Sequence, residues 1–409
     1  MKIILLLIMI FFWALLIFYS VLTICGVKER LKTKKKFVIQ TYPSVAVLIP
    51  AHNEEVVIQE TLKAMVKLYY PGQLDIFVLD DSSIDRTEEI VKCFSNMFSN
   101  IHYIKVPNGY PKGKSRVLNY GLSITFSDYF LVYDADNQPE KNAVTELVHA
   151  AEETKDSAGA VGYVRTINSE RNLLTKMISI EFQVFQLLMQ SGRWNLFKTG
   201  SLAGTNMLLK RSVIEELGGY DPYALAEDAE LTIRITAMGK TLPVVSTSQT
   251  WEQEPEKLSI FIRQRTRWLT GNIYLLEKSF REISYWKGKT FIHSIQHTLT
   301  YFLFVILLLF SHVWFVLGLL GLELPNFSSP LLLFWFMSYI VYTSQVLSAM
   351  VLDRNISPFN IFVGCIMYFT YAQLFIVLLM KSIFSYVISR VKKKTITWDK
   401  TVRFRGEPM

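Results

Sequence analysis

Cysteine is scarce in this chain, which has three cysteines among 409 residues. Three cysteines cannot build a disulfide framework or a cysteine metal cage. Cys25 and Cys365 fall in hydrophobic stretches and Cys93 falls on a predicted helix, which fits a reducing, cytosolic setting for the polar middle of the chain. A disulfide-stabilised secreted domain is therefore excluded.

The middle of the chain also lacks a basic-aromatic module of the kind that binds nucleic acid, although the net charge is +8. The basic residues cluster instead beside hydrophobic stretches, at residues 28–36 and 390–394. Clusters in that position set membrane topology or contact anionic lipid. We therefore expect membrane lipid, and no nucleic acid, among the partners.

Long hydrophobic stretches, in contrast, are plentiful, since 51% of the residues are hydrophobic and the mean hydropathy is +0.26. Residues 3–25 are almost uninterrupted apolar residues and exceed the roughly 20 residues that cross a hydrocarbon core. A cleaved signal peptide is the alternative, but its apolar part is usually ~7–15 residues long, and Thr23-Ile24 offers no small residue before the cysteine. We expect an uncleaved anchor whose basic C-terminal side lies in the cytosol.

From residue 44 onwards, short apolar runs alternate with helical segments, which is typical of parallel βαβ units. Asn53 is predicted to cap a helix that starts near Glu54, and Asp85 to cap another, with Glu88 at capping-box spacing. The predicted strands cover residues 45–49, 75–79, 101–106 and 129–133.

Acidic residues follow three of these strands, at Asn53-Glu54-Glu55, Asp80-Asp81 and Asp134-Ala135-Asp136. Ligands of open parallel sheets bind beyond the carboxyl ends of the strands, so the three groups are expected to converge on one crevice. Asp134 and Asp136 suit a divalent metal that neutralises a leaving diphosphate. Ordinary turn and cap chemistry is the alternative for each group.

Basic and acidic side chains further along the chain add two candidate roles. Lys112, Lys114 and Arg116 are placed to contact a diphosphate, or form a solvated basic loop. Glu227-Asp228 is a candidate general base for an acceptor hydroxyl, or a helix N-terminal charge.

The segment Gln264-Arg265-Thr266-Arg267-Trp268 precedes the C-terminal apolar third. On a helix, Gln264, Arg267 and Trp268 project from one face and offer an amide, a cation and a flat aromatic ring. That combination suits a phosphorylated sugar. The alternative is a helix that only lies at the membrane interface, with its Trp at headgroup level.

Three apolar segments follow, at residues 301–320, 331–352 and 359–387, and each is long enough to span. Three spans leaving a cytosolic domain would place the basic segment 390–405 outside, against the positive-inside rule. One segment is then interfacial or re-entrant, or residues 287–298 belong to another membrane element. The predicted units are an anchor, a catalytic domain, interfacial helices, transmembrane helices and a basic tail, at residues 1–27, 44–245, 246–298, 299–388 and 389–409.

Taken together, the three acidic strand ends, Glu227-Asp228 and the segment 264–268 resemble the processive membrane-embedded family 2 glycosyltransferases. These include the synthases of cellulose, chitin, hyaluronan and poly-N-acetylglucosamine. The resemblance covers residues 44–280 and the membrane layout, and residues 398–403 look like the tail of such proteins. It implies an α/β fold: a GT-A (nucleotide-diphospho-sugar transferase) domain with a mostly parallel sheet, fused to transmembrane and interfacial α-helices.

The resemblance also implies roles for single residues. Asp81 contacts the nucleotide with Asp80 beside it, and Asp136, assisted by Asp134, binds Mg²⁺ or Mn²⁺ and the diphosphate. Asp228, with Glu227 next to it, is the base of an inverting displacement. The remaining residues expected to bind nucleotide or substrate are Asn53, Glu55, Lys114, Gln264, Arg267 and Trp268.

Two departures from the family pattern concern residue 226 and the ends of the chain. Ala226 stands where the family usually has Thr before Glu-Asp. The single anchor before the catalytic domain resembles poly-N-acetylglucosamine and Nod-factor chitooligosaccharide synthases, and the tail carries no fused regulatory domain of the cyclic-di-GMP type. An accessory membrane or export subunit could supply such control.

Three functions compete on this basis. The first is polymerisation of UDP-N-acetylglucosamine or UDP-glucose into a β-linked extracellular polysaccharide that leaves through the enzyme's own membrane channel. The second is transfer of one sugar from a UDP-sugar to a lipid acceptor, and the third is a non-catalytic nucleotide-binding membrane scaffold. The first two predict a multi-pass cell-membrane protein with a cytoplasmic catalytic domain.

Overall fold

A computed structural model describes residues 2–32, 38–282, 291–322 and 331–391 of the chain. Part of the basic cluster at 28–36, part of the segment 287–298 and most of the tail at 389–409 therefore lie outside the described residues. The tail includes the family-like residues 398–403.

Eight strands form one mixed sheet in the order β3-β2-β1-β4-β7-β6-β8-β5. They are β1 Val45–Ala51, β2 Leu74–Asp80, β3 Ile101–Lys105, β4 Tyr129–Val132, β5 Gln138–Pro139, β6 Gly159–Thr166, β7 Met207–Lys210 and β8 Val244–Glu252. The first four strands pair in parallel, whereas β7 runs antiparallel to both β4 and β6. The carboxyl ends of β1 to β4 therefore share one edge, as predicted.

Hydrophobic side chains on both faces explain why these segments form strands. All four residues of β4 are buried, and six of the seven in β1 are. Strands covered on both faces read as continuous apolar runs without alternation. The four predicted strands are confirmed, with ends that shift by one or two residues.

Helices lie along both faces of the sheet and continue beyond it. The N-terminal helix is α1 Lys2–Arg30, and those that follow it up to residue 237 are α2 Ile58–Val66, α3 Thr87–Met97, α4 Lys114–Ile124, α5 Ala143–Glu153, α6 Leu173–Phe182, α7 Gln190–Phe197, α8 Arg211–Glu216 and α9 Glu227–Ala237. The last five are α10 Leu258–Arg281, α11 Phe291–Leu319, α12 Leu331–Leu352, α13 Pro358–Met367 and α14 Tyr371–Val391. A π-helical segment, Gln183–Met189, joins α6 to α7.

The predicted cap at Asn53 is wrong, because its side chain holds two loops together, whereas Asp85 bonds the first residue of α3 although Arg86 is the N-cap residue. Asn53 has a left-handed backbone with φ of 55°, and its Oδ1 accepts a hydrogen bond from Ile84 N, so the helix starts later, at Ile58. Asp85 Oδ1 accepts from Thr87 N and Oδ2 from Glu55 N. The predicted capping box there is absent among the described contacts.

Three described helical stretches are long and apolar enough to cross a membrane, namely Met9–Arg30, Leu333–Leu352 and Pro358–Val391. The third comprises α13 and α14, so the predicted segment at 359–387 is two helices. A shorter apolar stretch, Val305–Leu319, lies in α11. The N-terminal helix packs closely on the π-helical segment and on α7, because a Cβ at Gly26 would lie 2.3 Å from Leu188 O and a Cβ at Gly192 would lie 2.3 Å from Leu22 O.

Asn206 is the polar centre of the sheet beneath the acidic strand ends. Its Oδ1 accepts hydrogen bonds from Tyr133 Oη at 3.0 Å and Ser248 Oγ at 3.3 Å, and its Nδ2 donates to the carbonyls of Ser248 at 3.0 Å and Tyr163 at 3.3 Å. Asn206 is fully buried, so water cannot replace these bonds. One side chain thus links β6 and β8 to the end of β4.

We predict that Asn206→Ala lowers the free energy of unfolding by at least about 1–3 kcal/mol, because buried donors and acceptors lose their partners. Thermal unfolding of the purified protein, followed by fluorescence, measures the loss. The matched control is Asn96→Ala at an exposed helical position, which should leave the midpoint unchanged. Equal midpoints for the two variants would contradict the role of Asn206.

Candidate active site

Three carboxylates meet beyond the ends of β4 and β8. Within the described residues, oxygens of Asp134, Asp136 and Glu252 lie within 4.8 Å of one another. Asn137 holds the turn: its Oδ1 accepts from Asp134 N at 2.9 Å, and its Nδ2 donates to Glu252 Oε2 at 3.1 Å. Mg²⁺ and Mn²⁺ bind such hard oxygen ligands together with substrate phosphates, so this donor set fits a divalent metal.

Glu252 is the member of this group that sequence reasoning missed. It ends β8 and lies 115 residues beyond Asn137, so no local spacing connects it to the aspartates. Its one sequence signal was its place at the end of a strand, which the apolar pattern around residues 244–252 shows only weakly.

Lys114 connects these carboxylates to a second acidic pair. It is the first residue of α4, and its Nζ donates to Asp134 Oδ1 at 2.5 Å and to Gly204 O at 2.6 Å. The same Nζ lies 3.7 Å from Glu227 Oε1. Burial lowers the pKa of Lys114, but the charges of Asp134 and Glu227 outweigh this effect, so the pKa lies above its ordinary value. Lys114 is therefore a largely buried, charged link between the two acidic groups.

Asp228 lies in the first turn of α9, directly after Glu227, as predicted. Its Oδ1 accepts a hydrogen bond from Ala229 N at 2.8 Å. Burial, followed by the nearby charge of Glu227, raises the pKa of Asp228 to about 7. A carboxylate with this pKa both accepts and releases a proton near neutral pH, as a general base requires.

The two neighbouring aspartates after β2 face different ways. Asp81 lines the cavity and pairs with Arg116 Nη2. Asp80 is buried, and its two oxygens accept hydrogen bonds from Ser83 N at 2.9 Å and Tyr103 Oη at 2.8 Å. Asp80 thus positions the turn that carries Asp81.

Asn53 and Glu55 likewise hold two loops together. Asn53 accepts from Ile84 N at 2.8 Å, and Glu55 Oε2 accepts from Arg86 N at 3.1 Å. Glu54, which lies between them, lines the cavity. Of this acidic group the structure therefore brings Glu54, rather than its two neighbours, to the cavity wall.

The helix α10 brings Gln264, Arg267 and Trp268 to the cavity together, as the helical spacing predicts. Gln264 is only 8% exposed, and its Oε1 is buried without a hydrogen-bond partner in the described structure. An unsatisfied buried oxygen is costly, so this acceptor is a candidate for binding a ligand donor.

Behind this face lies an ion pair that sequence reasoning also missed. Arg265 is fully buried, donates from Nη2 to Glu181 Oε2 at 2.6 Å and lies 4.0 Å from the centre of the Trp268 ring. Tyr371 Oη donates to the same Glu181 oxygen at 2.6 Å. These contacts join α6, α10 and α14.

One cavity of about 1350 Å³ connects the carboxylates near Asp134, the pair Glu227-Asp228 and the face of α10 that carries Trp268. Pockets for small molecules usually measure about 300–1,000 Å³, so this one holds more than a single small ligand. Its polar end is lined by Asp81, Lys114, Asp134, Asp136, Glu227, Asp228 and Glu252. Its other end lies among the C-terminal helices. The walls there are formed by Tyr19, Glu181, Phe182, Phe185, Tyr342, Gln345, Val346, Met367, Tyr371, Ala372 and Phe375.

The fold and this arrangement define a glycosyltransferase with a GT-A-like domain and helices that could span a membrane. A model of glycosyl transferase family 2 matches residues 46–218. The chain is 40% identical over 402 residues to a protein named probable glycosyltransferase YdaM from Bacillus subtilis, with 96% of each chain covered. This chain belongs to glycosyl transferase family 2.

More distant relatives are named for different products. The beta-monoglucosyldiacylglycerol synthase of Nostoc sp. is 25% identical over 67% of this chain and 58% of its own. The poly-beta-1,6-N-acetyl-D-glucosamine synthase of Staphylococcus aureus is 22% identical over 62% of this chain and 60% of its own. The solved mannosyltransferase PcManGT from Pyrobaculum calidifontis, in complex with GDP-Man and Mn²⁺, has a TM-score of 0.59, 17% identity and coverage of 95% and 98%. That likeness shows the fold.

We predict that Glu252→Gln weakens Mn²⁺ binding at least about tenfold in the presence of UDP, because the site loses a charged oxygen ligand. Calorimetric titration of the purified protein with Mn²⁺ measures the affinity. Glu153→Gln removes an exposed carboxylate on α5 and serves as the matched control. Unchanged affinity in Glu252→Gln would remove Glu252 from the proposed metal site.

Proposed function

We propose that this protein is an inverting glycosyltransferase that polymerises UDP-N-acetylglucosamine or UDP-glucose into a β-linked extracellular polysaccharide. The observation that carries the proposal is the single cavity running from the acidic strand ends, past Trp268, into the C-terminal helices. Its volume of about 1350 Å³ accommodates a donor and acceptor sugars at once.

The donor occupies the polar end of the cavity in this proposal. Asp81, paired with Arg116, accepts hydrogen bonds from the nucleotide, and Asp134, Asp136 and Glu252 hold Mg²⁺ or Mn²⁺. The metal, when bound, neutralises charge on the leaving diphosphate. Lys114 and Arg267 add positive charge on the protein side.

The chemical step is one displacement at the anomeric carbon. Asp228 takes the proton of an acceptor hydroxyl while the hydroxyl oxygen forms the new bond to that carbon. The bond between the anomeric carbon and the diphosphate oxygen breaks, and both of its electrons leave with UDP. Attack from the side opposite the leaving group inverts the configuration and yields a β-linkage from an α-linked donor.

The acceptor occupies the cavity beyond Trp268. Its walls there offer hydroxyl and amide groups from Tyr342, Tyr371 and Gln345, interleaved with apolar side chains. Sugars match this mixture, because their rings pack on aromatic faces while their hydroxyls need hydrogen-bond partners. A growing glycan directed into these helices would be exported through them, from a multi-pass cell-membrane protein whose catalytic domain is cytoplasmic.

A second candidate is a membrane glycolipid synthase that transfers one sugar from a UDP-sugar to a lipid acceptor. Val346, Met367, Ala372 and Phe375 give the deep end apolar walls that would accept an acyl chain. In the described structure a separate void of about 10 Å³, too small for more than one water, lies next to Tyr342. A lipid acceptor would need no exit there.

Product analysis separates the two candidates. Membranes containing the protein are incubated with radiolabelled UDP-N-acetylglucosamine or UDP-glucose and Mg²⁺ or Mn²⁺, and the products are divided by solvent extraction and gel filtration. We predict a high-mass product that remains in the aqueous phase. A solvent-extractable monoglycosyl lipid as the only product would reject polymerisation and establish the second candidate. Membranes expressing Asp228→Asn are the control for other transferases.

We predict that the kcat/KM for the UDP-sugar falls as the pH drops below about 7. The pKa of Asp228 is raised to about 7, and the base acts only when it is deprotonated, so activity is present above this pH and lost below it. Initial rates of UDP release between pH 5.5 and 9 give the profile.

Asp228→Asn supplies the control for that profile. This variant should lose at least about a hundredfold in rate, because the amide cannot take the proton. Its affinity for UDP, measured by calorimetry, should stay within about twofold. Asp156→Asn changes an exposed aspartate in a left-handed turn, where Asn also fits, and should keep full activity. Activity retained in Asp228→Asn would refute the assignment of the base.

A further inference from the structure

Glu181 is an acidic side chain of the cavity that the proposed chemistry does not use. It lies on α6, at the place where the cavity passes from Trp268 to the C-terminal helices. Its side chain is 22% exposed, and it lines the cavity wall together with Gln264 and Tyr371. It belongs neither to the carboxylates near Asp134 nor to the pair at Glu227.

One oxygen of Glu181 is fully engaged and the other is not. Oε2 accepts hydrogen bonds from Arg265 Nη2 and Tyr371 Oη, both at 2.6 Å. These two donors come from opposite neighbours, α10 and α14, and fix the orientation of the carboxylate. Among the described residues no hydrogen bond reaches Oε1, which is therefore the atom that Glu181 presents to the cavity.

The charge of Glu181 is already balanced. Arg265 is fully buried and forms an ion pair with it, so the two groups together are neutral. A ligand at this position therefore needs no positive charge; it needs a hydrogen-bond donor. A neutral hydroxyl meets that requirement, and a hydrogen bond to a carboxylate is stronger than one to a neutral oxygen.

A second acceptor and an aromatic ring lie in the same part of the wall. Gln264 Oε1 is buried, without a hydrogen-bond partner in the described structure. Trp268 lines the cavity and has the guanidinium of Arg265 4.0 Å from its ring centre. Arg265 thus orients both the ring and the carboxylate, which makes the group rigid.

We propose that Glu181 binds the acceptor sugar, accepting a hydrogen bond at Oε1 from a hydroxyl of a neutral sugar that lies against Trp268. Arg265 and Tyr371 are positioning residues in this assignment, because they act through Glu181. The assignment rests on the proposed function. To that function it adds the chemical class of the acceptor, which is neutral and carries hydroxyl groups, and the side chain that selects this acceptor.

The test measures donor and acceptor kinetics separately. Purified full-length protein is given UDP-N-acetylglucosamine or UDP-glucose, with chitopentaose or cellopentaose as the acceptor, and elongation is followed by mass spectrometry. Glu181→Gln should raise the KM for the pentasaccharide about tenfold to a hundredfold, because a hydrogen bond to a charged acceptor is weakened. The KM for the donor and the affinity for UDP should stay within about twofold.

Two further variants separate binding from folding. Tyr371→Phe keeps the carboxylate and its ion pair and should raise the acceptor KM less than Glu181→Gln does. Glu181→Asp keeps a negative charge for Arg265 but withdraws Oε1 from the cavity, and should again raise the acceptor KM alone. Glu216→Gln, at an exposed position on α8, is the matched control.

The outcomes are distinct. An unchanged acceptor KM in both Glu181 variants overturns the assignment but leaves the proposed function intact. The same conclusion follows if both variants lose donor affinity and acceptor affinity equally. If Glu181→Gln loses UDP binding, the acceptor KM of Glu181→Asp decides: a raised value with unchanged UDP affinity supports the assignment, and an unchanged value overturns it. If the wild-type protein extends neither pentasaccharide and forms only a glycolipid, the proposed function itself fails and the sugar subsite is rejected with it.

Discussion

The Lys114 ammonium is the interaction on which the rest of the site depends. It lies between Asp134, at the proposed metal site, and Glu227, beside the proposed base, and it also bonds the backbone of Gly204. Several carboxylates within one partly buried crevice repel each other, and each unpaired buried charge costs several kcal/mol. The cation between the two groups offsets this repulsion, so that they can lie a short distance apart. In the proposed mechanism a bound metal would stabilise the leaving diphosphate, while Asp228 takes the proton of the acceptor hydroxyl that attacks the same anomeric carbon.

The helix α10 extends this arrangement towards the apolar helices. One side of it presents Gln264 and Trp268 to the cavity, while Arg265 on another side is bound to Glu181. Because Glu181 is also bonded by Tyr371 of α14, the acceptor region is built from three helices that meet at one carboxylate. The helix α10 can therefore lie at the membrane interface and also contribute Gln264 and Trp268 to a ligand site, so the two interpretations of residues 264–268 are compatible.

Local patterns in the sequence predicted the parts of the site that depend on local structure. Strand ends place Asp81, Asp134 and Asp136 at one edge, and helical spacing places Gln264 beside Trp268. Contacts between distant segments could not be read in the same way: Glu181 lies 190 residues from Tyr371 and 84 from Arg265. The sequence also did not show which way each side chain points, because adjacent residues at the end of a strand point to opposite faces. Asp80 consequently turned out to be a buried loop anchor, as Asn53 and Glu55 are.

The structure explains why the residue before the proposed base Glu227-Asp228 is the small Ala226. A Cβ at Gly271 of α10 would lie 2.9 Å from the Cβ of Ala226, so these two segments of the chain come close together at their smallest residues. A threonine at 226 would add two atoms at this contact and push α10 away from α9. Since Gly271 lies one turn beyond Trp268, that displacement would move the acceptor sugar relative to Asp228. Displacements of about 1 Å between reacting groups cost roughly a hundredfold in rate, so in the proposed mechanism the alanine keeps Asp228 aligned with the acceptor.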